Sequence, residues 1–382
     1  MSGARLLMLH DSPQFGGHEG MLLNLLPGVI EAGHFDEIVA CFPEGNRRLA
    51  EGLTALRQPI RLKPWRFEKR RAEPYLGYFR HSYAQAVRHI VATEQPESTL
   101  LVQGRIENLV VPMMAMPRDR FVVSYLPMAH RMAEMGRNGW VGDAARRRLY
   151  RRPDRFIVPS RSVASQIAAA GGRREVVIAD NFVTVPAAVD IQEARRALDL
   201  PDGRRIALFL GRLDTAQKGL DTLAEVLRRH SGRLHDWLFL FVGDGEGRTV
   251  IEGLAGSEAQ GLDIRTVPWT DKAHLYMAAA DLLLMPSRWE GVPLVMLEAM
   301  SCGLPILASG IDVFREYLPA ECCIDFSTAD LPARMEQLAS SEGRASFGRA
   351  VAGRGGDAVR ARARARFAAA LVPGNVQIEG IA

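Results

Sequence analysis

The stretch DLLLMPSRWEGVPLVMLEAMSCGLPILAS, residues 281–309, constrains the fold more than any other part of the chain. Its apolar run from Leu282 to Met285 is too short for a helix and ends at Pro286-Ser287, which predicts a parallel strand buried on both faces. A loop carrying Arg288, Trp289 and Glu290 follows. Pro293 suits a first helical position, because its backbone angle is already helical and its missing N–H would have no partner there. Leu294, Leu297 and Met300 continue at helical spacing, Gly303 before Pro305 stops the helix, and a second strand runs from Ile306 to Ser309. Such a strand–loop–helix–strand unit is buried only in a sheet covered by helices, so the chain belongs to the α/β class. Glu290 falls at the mouth of the helix and Glu298 lies beyond Pro293, about 7–8 Å further along the axis at ~1.5 Å per residue. Two carboxylates so separated can hold different parts of one extended ligand.

The same alternation recurs along the chain. RLLMLH, from Arg5 to His10, predicts an opening strand, the pair Gly16-Gly17 follows it, and Met21, Leu22, Leu25 and Leu26 then carry helical spacing. A glycine pair between strand and helix lets a phosphate approach the helix N-terminus. The dinucleotide fingerprint G-x-G-x-x-G is absent there, which argues against a nicotinamide enzyme. Further strands are expected from Glu37 to Phe42, Thr99 to Gln103, Arg120 to Tyr125 and Arg155 to Pro159. After residues 181–202, rich in proline and poor in large apolar side chains, the pattern restarts with strands from Arg205 to Leu210 and Trp237 to Val242 and a helix from Leu220 to Arg229. With 382 residues the chain exceeds one ordinary core. The expected division is an N-terminal domain over 1–180, a linker over 181–202, a C-terminal domain over 203–345 and a helical tail over 346–382 that packs back on the N-terminal domain.

Composition closes off several classes of function. No apolar run reaches the ~18 residues of a membrane span and the N-terminus lacks a signal-peptide pattern, so a cytoplasmic location is expected. Cys41, Cys302, Cys322 and Cys323 have neither metal-ligand nor disulfide spacing and read as reduced core thiols. No His/Asp/Glu cluster with ligand spacing is present, and no metal is expected. Among 48 basic residues the lysines are only Lys63, Lys69, Lys218 and Lys272, which singles each of them out. Residues 61–83, from Arg61 to Tyr83, interleave basic and aromatic side chains without amphipathic periodicity. They suit either peripheral contact with an anionic membrane surface or an acceptor-binding flap, set against a plain solvated loop. No nucleic-acid-binding motif accompanies them.

Parallel sheets bind ligands at the C-terminal ends of their strands, and four such loops carry unusual residues. Gly16 and Gly17 follow the first strand, Arg212 and Lys218 flank the loop after Leu210, Gly243-Asp244-Gly245 follows Val242, and Glu290 follows Met285. Arg212 and Lys218 can bracket a diphosphate, one as a planar fork and the other as a compact charge.

GRLDTAQKGLD (211–221), FVGDGEG (241–247), FGGHE (15–19), DNF (180–182) and the glutamate spacing within EGVPLVMLEAMSCGLPILAS together resemble retaining glycosyltransferases of family 4. The resemblance implies the GT-B fold, two Rossmann-like doubly wound domains facing each other across a cleft. It also implies transfer of a sugar, without a bound metal or other cofactor, from a UDP- or GDP-linked donor to a glycan, lipid-linked or small-molecule acceptor. By resemblance, Arg212 and Lys218 hold the diphosphate. Glu290 takes hydrogen bonds from the donor sugar, the backbone of Gly291, Val292 and Leu294 faces the phosphates, and Glu298 accepts from the ribose. Gly243 and Asp244 complete the donor pocket, and Gly16 and Gly17 let their loop close over it. The family's usual histidine after an N-domain strand is replaced by Tyr125, with His130 five residues later as a catalytic candidate beside Arg212, Lys218 and Glu290; Glu107 is a weaker acceptor-side candidate, and Glu316 resembles a family position near the nucleotide. Two rival readings stand beside this one: a non-catalytic nucleotide-sugar-binding subunit, kept open by Tyr125, and a sugar-nucleotide epimerase, which no motif favours.

Overall fold

Short apolar strands pair in parallel in both halves of the chain. The computed structural model describes residues 3–56, 59–69, 80–135, 139–184, 188–255 and 261–374. It divides into one unit of Met1–Phe182 with Asp357–Ala382 and a second of Val183–Gly356. In the first unit, β1 (Arg5–Leu9), β2 (Glu37–Pro43), β3 (Ile60–Trp65), β4 (Ser98–Val102), β5 (Phe121–Tyr125), β6 (Arg155–Val158) and β7 (Glu175–Ile178) form a sheet in the order β3-β2-β1-β4-β5-β6-β7. In the second, β8 (Arg205–Leu210), β9 (Trp237–Val242), β10 (Asp263–Val267), β11 (Leu282–Met285), β12 (Ile306–Ser309) and β13 (Cys323–Ile324) take the order β10-β9-β8-β11-β12-β13. The order reverses between β1 and β4 in one sheet and between β8 and β11 in the other. Each of those switch points opens a crevice at the strands' C-terminal ends.

The central strands are buried on both faces, as their unbroken apolar runs require: Leu6 to Leu9 and Leu282 to Leu284 are at most 1% exposed. The strand β3 was not expected from sequence. It is an edge strand paired only with β2, and its Arg61 and Lys63 are matched by Glu37 and Glu94 rather than by apolar neighbours. Trp65 and Tyr83, read as part of a basic flap, are core residues, and Phe67 stacks on Tyr83 with ring centroids 4.4 Å apart. The rest of that stretch, residues 70–79, lies outside the described residues.

Residues 181–202 also differ from a plain linker. They include the helix Ile191–Ala197, capped by the Asp190 side chain. Its Arg195 is 5% exposed and reaches Ala279 O at 3.1 Å and Asp281 Oδ2 at 2.8 Å. A buried arginine and a buried Ala194 hold this helix in the second unit, so no large apolar residue announces it. Helix Ser341–Val351 stays in the second unit, whereas helix Asp357–Ala370 belongs to the first. There Phe367 packs edge-on against Tyr125 with centroids 5.5 Å apart, and Arg155 donates to the carbonyls of Ala370, Val372 and Gly374.

Candidate functional site

The second unit's switch point is built from the loops that leave β8 and β11. Gly219, at φ +65°, joins the short helix Thr215–Lys218 to helix Leu220–Arg229. A Cβ at this position would lie 2.2 Å from Pro286 O, so only glycine lets the two loops come so close. The approach sets Lys218 Nζ 2.5 Å from Glu290 Oε1. Glu290 is 5% exposed. It also accepts from Ser287 Oγ at 2.7 Å and from Gln217 Nε2 at 3.4 Å. A carboxylate taken this far out of water needs such partners, and their number fixes where its oxygens point.

Gln217 ties the cluster together. Its amide nitrogen donates to Trp289 O at 3.2 Å, and its oxygen accepts from Arg212 Nη2 at 2.9 Å. The Arg212 guanidinium also contacts Asp214 Oδ2 at 3.1 Å and stays 61% exposed, able to meet an anion without breaking the Glu290 cluster. Sequence reasoning missed Gln217 and Ser287, for neither carries a signal beyond its position next to a charged residue.

The loop after β9 adds a close approach. Gly243 has φ +143°, and a Cβ there would lie 1.9 Å from Gly211 O. Asp244, read as a donor-pocket residue, serves the frame: its carboxylate accepts the Trp269 N–H at 3.1 Å and faces Arg248 Nη2 at 3.3 Å. Gly291 and Val292 are buried on the way into helix Leu294–Ser301, for which Pro293 is the capping residue rather than the first helical one. Leu294, half-buried, opens that helix. Glu298 lines a cavity of about 480 Å³ with His274, Met277, Ser301, Cys302 and Arg344. Burial raises its carboxyl above the usual range. Cys302 is exposed there rather than a core thiol, because it closes the end of the helix.

The first unit's switch point lies between β1 and β4. Gly16 precedes helix Gly17–Ala32 with extended backbone, and its N–H donates to Glu19 Oε2 at 2.8 Å. Glu19 is fully buried, with His10 Nε2 2.9 Å from Oε1 and His18 Nδ1 2.9 Å from Oε2. Burial alone would raise the Glu19 carboxyl, but the two imidazole hydrogen bonds outweigh it and hold the group below the usual carboxylate range. Burial lowers the His10 imidazole against the pull of Glu19.

This trio corrects the expectation that no ligand cluster exists, since its candidate ligand atoms lie within 4.8 Å of one another. It joins His10, at the end of β1, to the first turn of the helix, so no short motif displays it. The far nitrogens, His10 Nδ1 and His18 Nε2, are buried without a hydrogen-bond partner among the described residues. With each N–H on Glu19 these atoms are bare lone pairs. A bound ion would turn both into buried, unsatisfied donors, which lack the second-shell acceptors that orient metal-bound histidines. The trio fits a hydrogen-bonded clamp on the loop bearing Gly16 better than it fits a metal.

His130 lies elsewhere in the first unit. It is 8% exposed and lines a cavity of about 410 Å³ with Asp143, Arg146 and Tyr150. Its carbonyl accepts from Arg146 Nη1 at 3.0 Å, and Arg146 also holds Glu107 at 2.6 Å. The two sequence candidates on this side, His130 and Glu107, thus share Arg146. Tyr125 is a core residue whose hydroxyl is pushed up by burial. Glu316 sits in helix Asp312–Tyr317, with its carbonyl accepting from Arg354.

Comparison with known proteins bears on this geometry. Residues 190–341 match the family model described as Glycosyl transferases group 1. That match covers less than half of the chain. It contains Arg212, Lys218, Glu290 and Glu298. Over 295 residues, 77% of this chain and 76% of the relative, the sequence is 25% identical to the lipopolysaccharide core biosynthesis glycosyltransferase LpsE of Rhizobium meliloti. The crystal structure of Anabaena Alr3699/HepE in complex with UDP-glucose superposes with a TM-score of 0.67, at 16% identity over 97% of this chain and 96% of that one. The apo form of the lipopolysaccharide outer core galactosyltransferase WaaB gives 0.68, at 16% identity over 94% and 97%. The fold is that of GT-B glycosyltransferases, with two Rossmann-like parallel α/β domains. Among the described residues, no helix is long and apolar enough to cross a membrane.

Proposed function

We propose that this chain is a retaining, metal-independent glycosyltransferase of family 4 that moves a sugar from a nucleoside diphosphate to a hydroxyl of a surface polysaccharide or lipid-linked glycan. The observation that carries the proposal is the Lys218–Glu290 pair at a switch point, inside the segment that matches the glycosyl transferases group 1 model. In this reading Lys218 and Arg212 hold the diphosphate. They supply fixed positive charge as the bond from the anomeric carbon to the phosphate oxygen breaks and negative charge gathers on the leaving group. Glu290, oriented by Ser287 and Gln217, accepts from the sugar hydroxyls, and Glu298 accepts from the ribose. The acceptor oxygen forms the new bond to the anomeric carbon, and its proton passes to the departing diphosphate oxygen, which keeps the electron pair of the broken bond. Relatives named for lipopolysaccharide core and O-antigen biosynthesis support the choice of acceptor class.

The test is a panel of UDP- and GDP-sugars with release of nucleoside diphosphate as readout, repeated with Lys218→Ala and Glu290→Ala, and proton NMR of the anomeric centre in any product. The expected result is release from one donor, lost in both variants, with the anomeric configuration of the donor kept. Full turnover by either variant refutes the site, and an inverted product refutes retention.

A further inference from the structure

His18 is the one member of the first unit's trio that reaches the surface, with its side chain 20% exposed against 1% for Glu19 and 0% for His10. Its Nδ1 lies 2.9 Å from Glu19 Oε2. A carboxylate only accepts, so Nδ1 carries the proton and Nε2 keeps a lone pair. His10, its ring centroid 5.9 Å away, holds the other Glu19 oxygen, which fixes the carboxylate and through it the His18 ring. The Nε2 lone pair has no hydrogen-bond partner among the described residues. Leaving a buried acceptor unmet is costly, and a ligand that donates to it removes the cost.

The loop after β4 faces that nitrogen. A Cβ on Gly104 would lie 3.4 Å from His18 Cε1 and 3.7 Å from Nε2, so this half-buried residue lays bare backbone against the open edge of the ring. The same loop is strained. Leu109 takes φ +58°, a left-handed conformation that leucine rarely adopts. It is held there because its N–H donates to Asp11 Oδ2 at 2.8 Å, while the Gln103 side-chain amide donates to the carbonyls of Ile106 and Asn108. Strain of this kind persists only where neighbouring contacts enforce it, and it clusters at ligand sites. An unmet lone pair and a strained loop thus meet at the switch point between β1 and β4, where a parallel sheet takes its ligand. The partner for a lone pair with a carboxylate behind its ring is an uncharged donor, and a hydroxyl fits. We propose that His18 Nε2 binds the acceptor of glycosyl transfer by taking a hydrogen bond from a hydroxyl of an acceptor sugar, with Gly104 as the gap through which that hydroxyl reaches the ring. This rests on the transfer reading above and commits its acceptor to a sugar residue. The hydroxyl bound here is not the reacting one, whose proton goes to the leaving diphosphate, so His18 reads the acceptor and moves no proton. Glu19 and His10 are positioning residues that set its tautomer.

The full chain, labelled with nitrogen-15 in its histidines, tests the proposal by NMR. It is titrated with the methyl glycosides of glucose, galactose, mannose and glucosamine, and with hexanol as a hydroxyl that is not a sugar, in the presence of UDP or GDP. The His18 signals are those lost in His18→Gln. The expected result is an upfield movement of the Nε2 resonance with at least one glycoside, because accepting a hydrogen bond shields a bare imidazole nitrogen, and no movement with hexanol. In Gly104→Ala the added methyl makes ordinary contact with the ring and blocks it. Glycoside affinity there should fall roughly 5- to 150-fold, the worth of one unmet buried hydrogen bond, with the affinity for UDP or GDP kept. His18→Ala should lose a similar factor, and His18→Gln, whose amide oxygen can accept, should lose less. A resonance that moves with no glycoside, or moves equally with hexanol, overturns the proposal. So does glycoside affinity in either Gly104→Ala or His18→Ala equal to wild type. Equal weakening of glycoside and nucleotide in Gly104→Ala overturns it as well, because the loop would then serve the donor. Wild-type protein that binds neither UDP nor GDP overturns the transfer reading, and the acceptor assignment falls with it.

Discussion

Lys218 has two candidate roles, counter-ion to Glu290 and holder of the donor diphosphate, and a paired substitution separates them. Lys218→Ala leaves Glu290, 5% exposed, with Ser287 and Gln217 as its remaining hydrogen-bond partners of those described above. A hydrogen bond to a charged group contributes ~1.5–3 kcal/mol, and stranding one member of a fully buried pair costs ~3–5 kcal/mol. The Lys218 side chain is 19% exposed, so water makes up part of the loss and the expected cost is about 2 kcal/mol. At ~2–4 °C per kcal/mol for a unit of this size, the second unit should melt about 4–8 °C lower. Adding Glu290→Gln removes the stranded charge while keeping an oxygen for Ser287, and the double variant should recover to within ~1 kcal/mol of the wild type. Nucleoside diphosphate affinity behaves differently if Lys218 touches phosphate. Both Lys218→Ala and the double variant should then bind whichever of UDP and GDP the wild type takes about 10- to 100-fold more weakly, the equivalent of one charge-assisted contact. Calorimetric unfolding and isothermal titration of the same samples supply both numbers. A double variant that recovers stability and binds the nucleotide as tightly as wild type would show Lys218 to be a counter-ion only, and the diphosphate assignment would fall.

Arg155 is 2% exposed and donates to three carbonyls at the chain's C-terminal end, so Arg155→Ala should strand those acceptors and cost about 3 kcal/mol or more. Limited trypsin digestion should then cut within helix Asp357–Ala370 well before the rest of the first unit is degraded, and an unchanged cleavage pattern would refute the anchoring role. Acid should destabilise the first unit in two stages. Glu94, held at about 2 chiefly by the Arg61 hydrogen bond and then by Lys63, contributes stability that is fully present above its unfolded value near 4.5 and lost as pH falls toward 2. His10, lowered by burial, resists a proton that the unfolded chain accepts below 6.5, so loss begins there as pH falls. Thermal unfolding between pH 7.5 and 4.5 should show a falling midpoint that flattens in His10→Gln, and a midpoint independent of pH over that range would contradict the His10 assignment; a midpoint that does not fall further between pH 4.5 and 2 would contradict the Glu94 one.

Most of the strands were legible because a strand buried on both faces must be an unbroken apolar run. The run from Leu282 to Met285, the helix from Leu220 to Arg229 and the stop at Gly303 follow from residue type and spacing alone. The edge strand β3 was hidden because its partners are charges on other elements, and helix Ile191–Ala197 because an arginine fills its buried face. The chemical types at the loops proposed to hold the donor were also written in the chain: a lone lysine after a strand, a glycine beside it, and two spaced glutamates.

What only the tertiary structure decided is which of these groups meet. Lys218 and Glu290 are far apart in sequence, and they form an ion pair because the sheet places β11 beside β8 and Gly219 lets the two loops close to contact distance. His10 is separated from His18 and Glu19 by a loop, and the three converge because the turn after β1 folds back on the helix that follows it. Periodicity and residue type act through neighbours along the chain, so the sequence determined the elements and the groups they carry. Strand order and close backbone approach act through space, so the folded sheet alone determined the pairs those groups make.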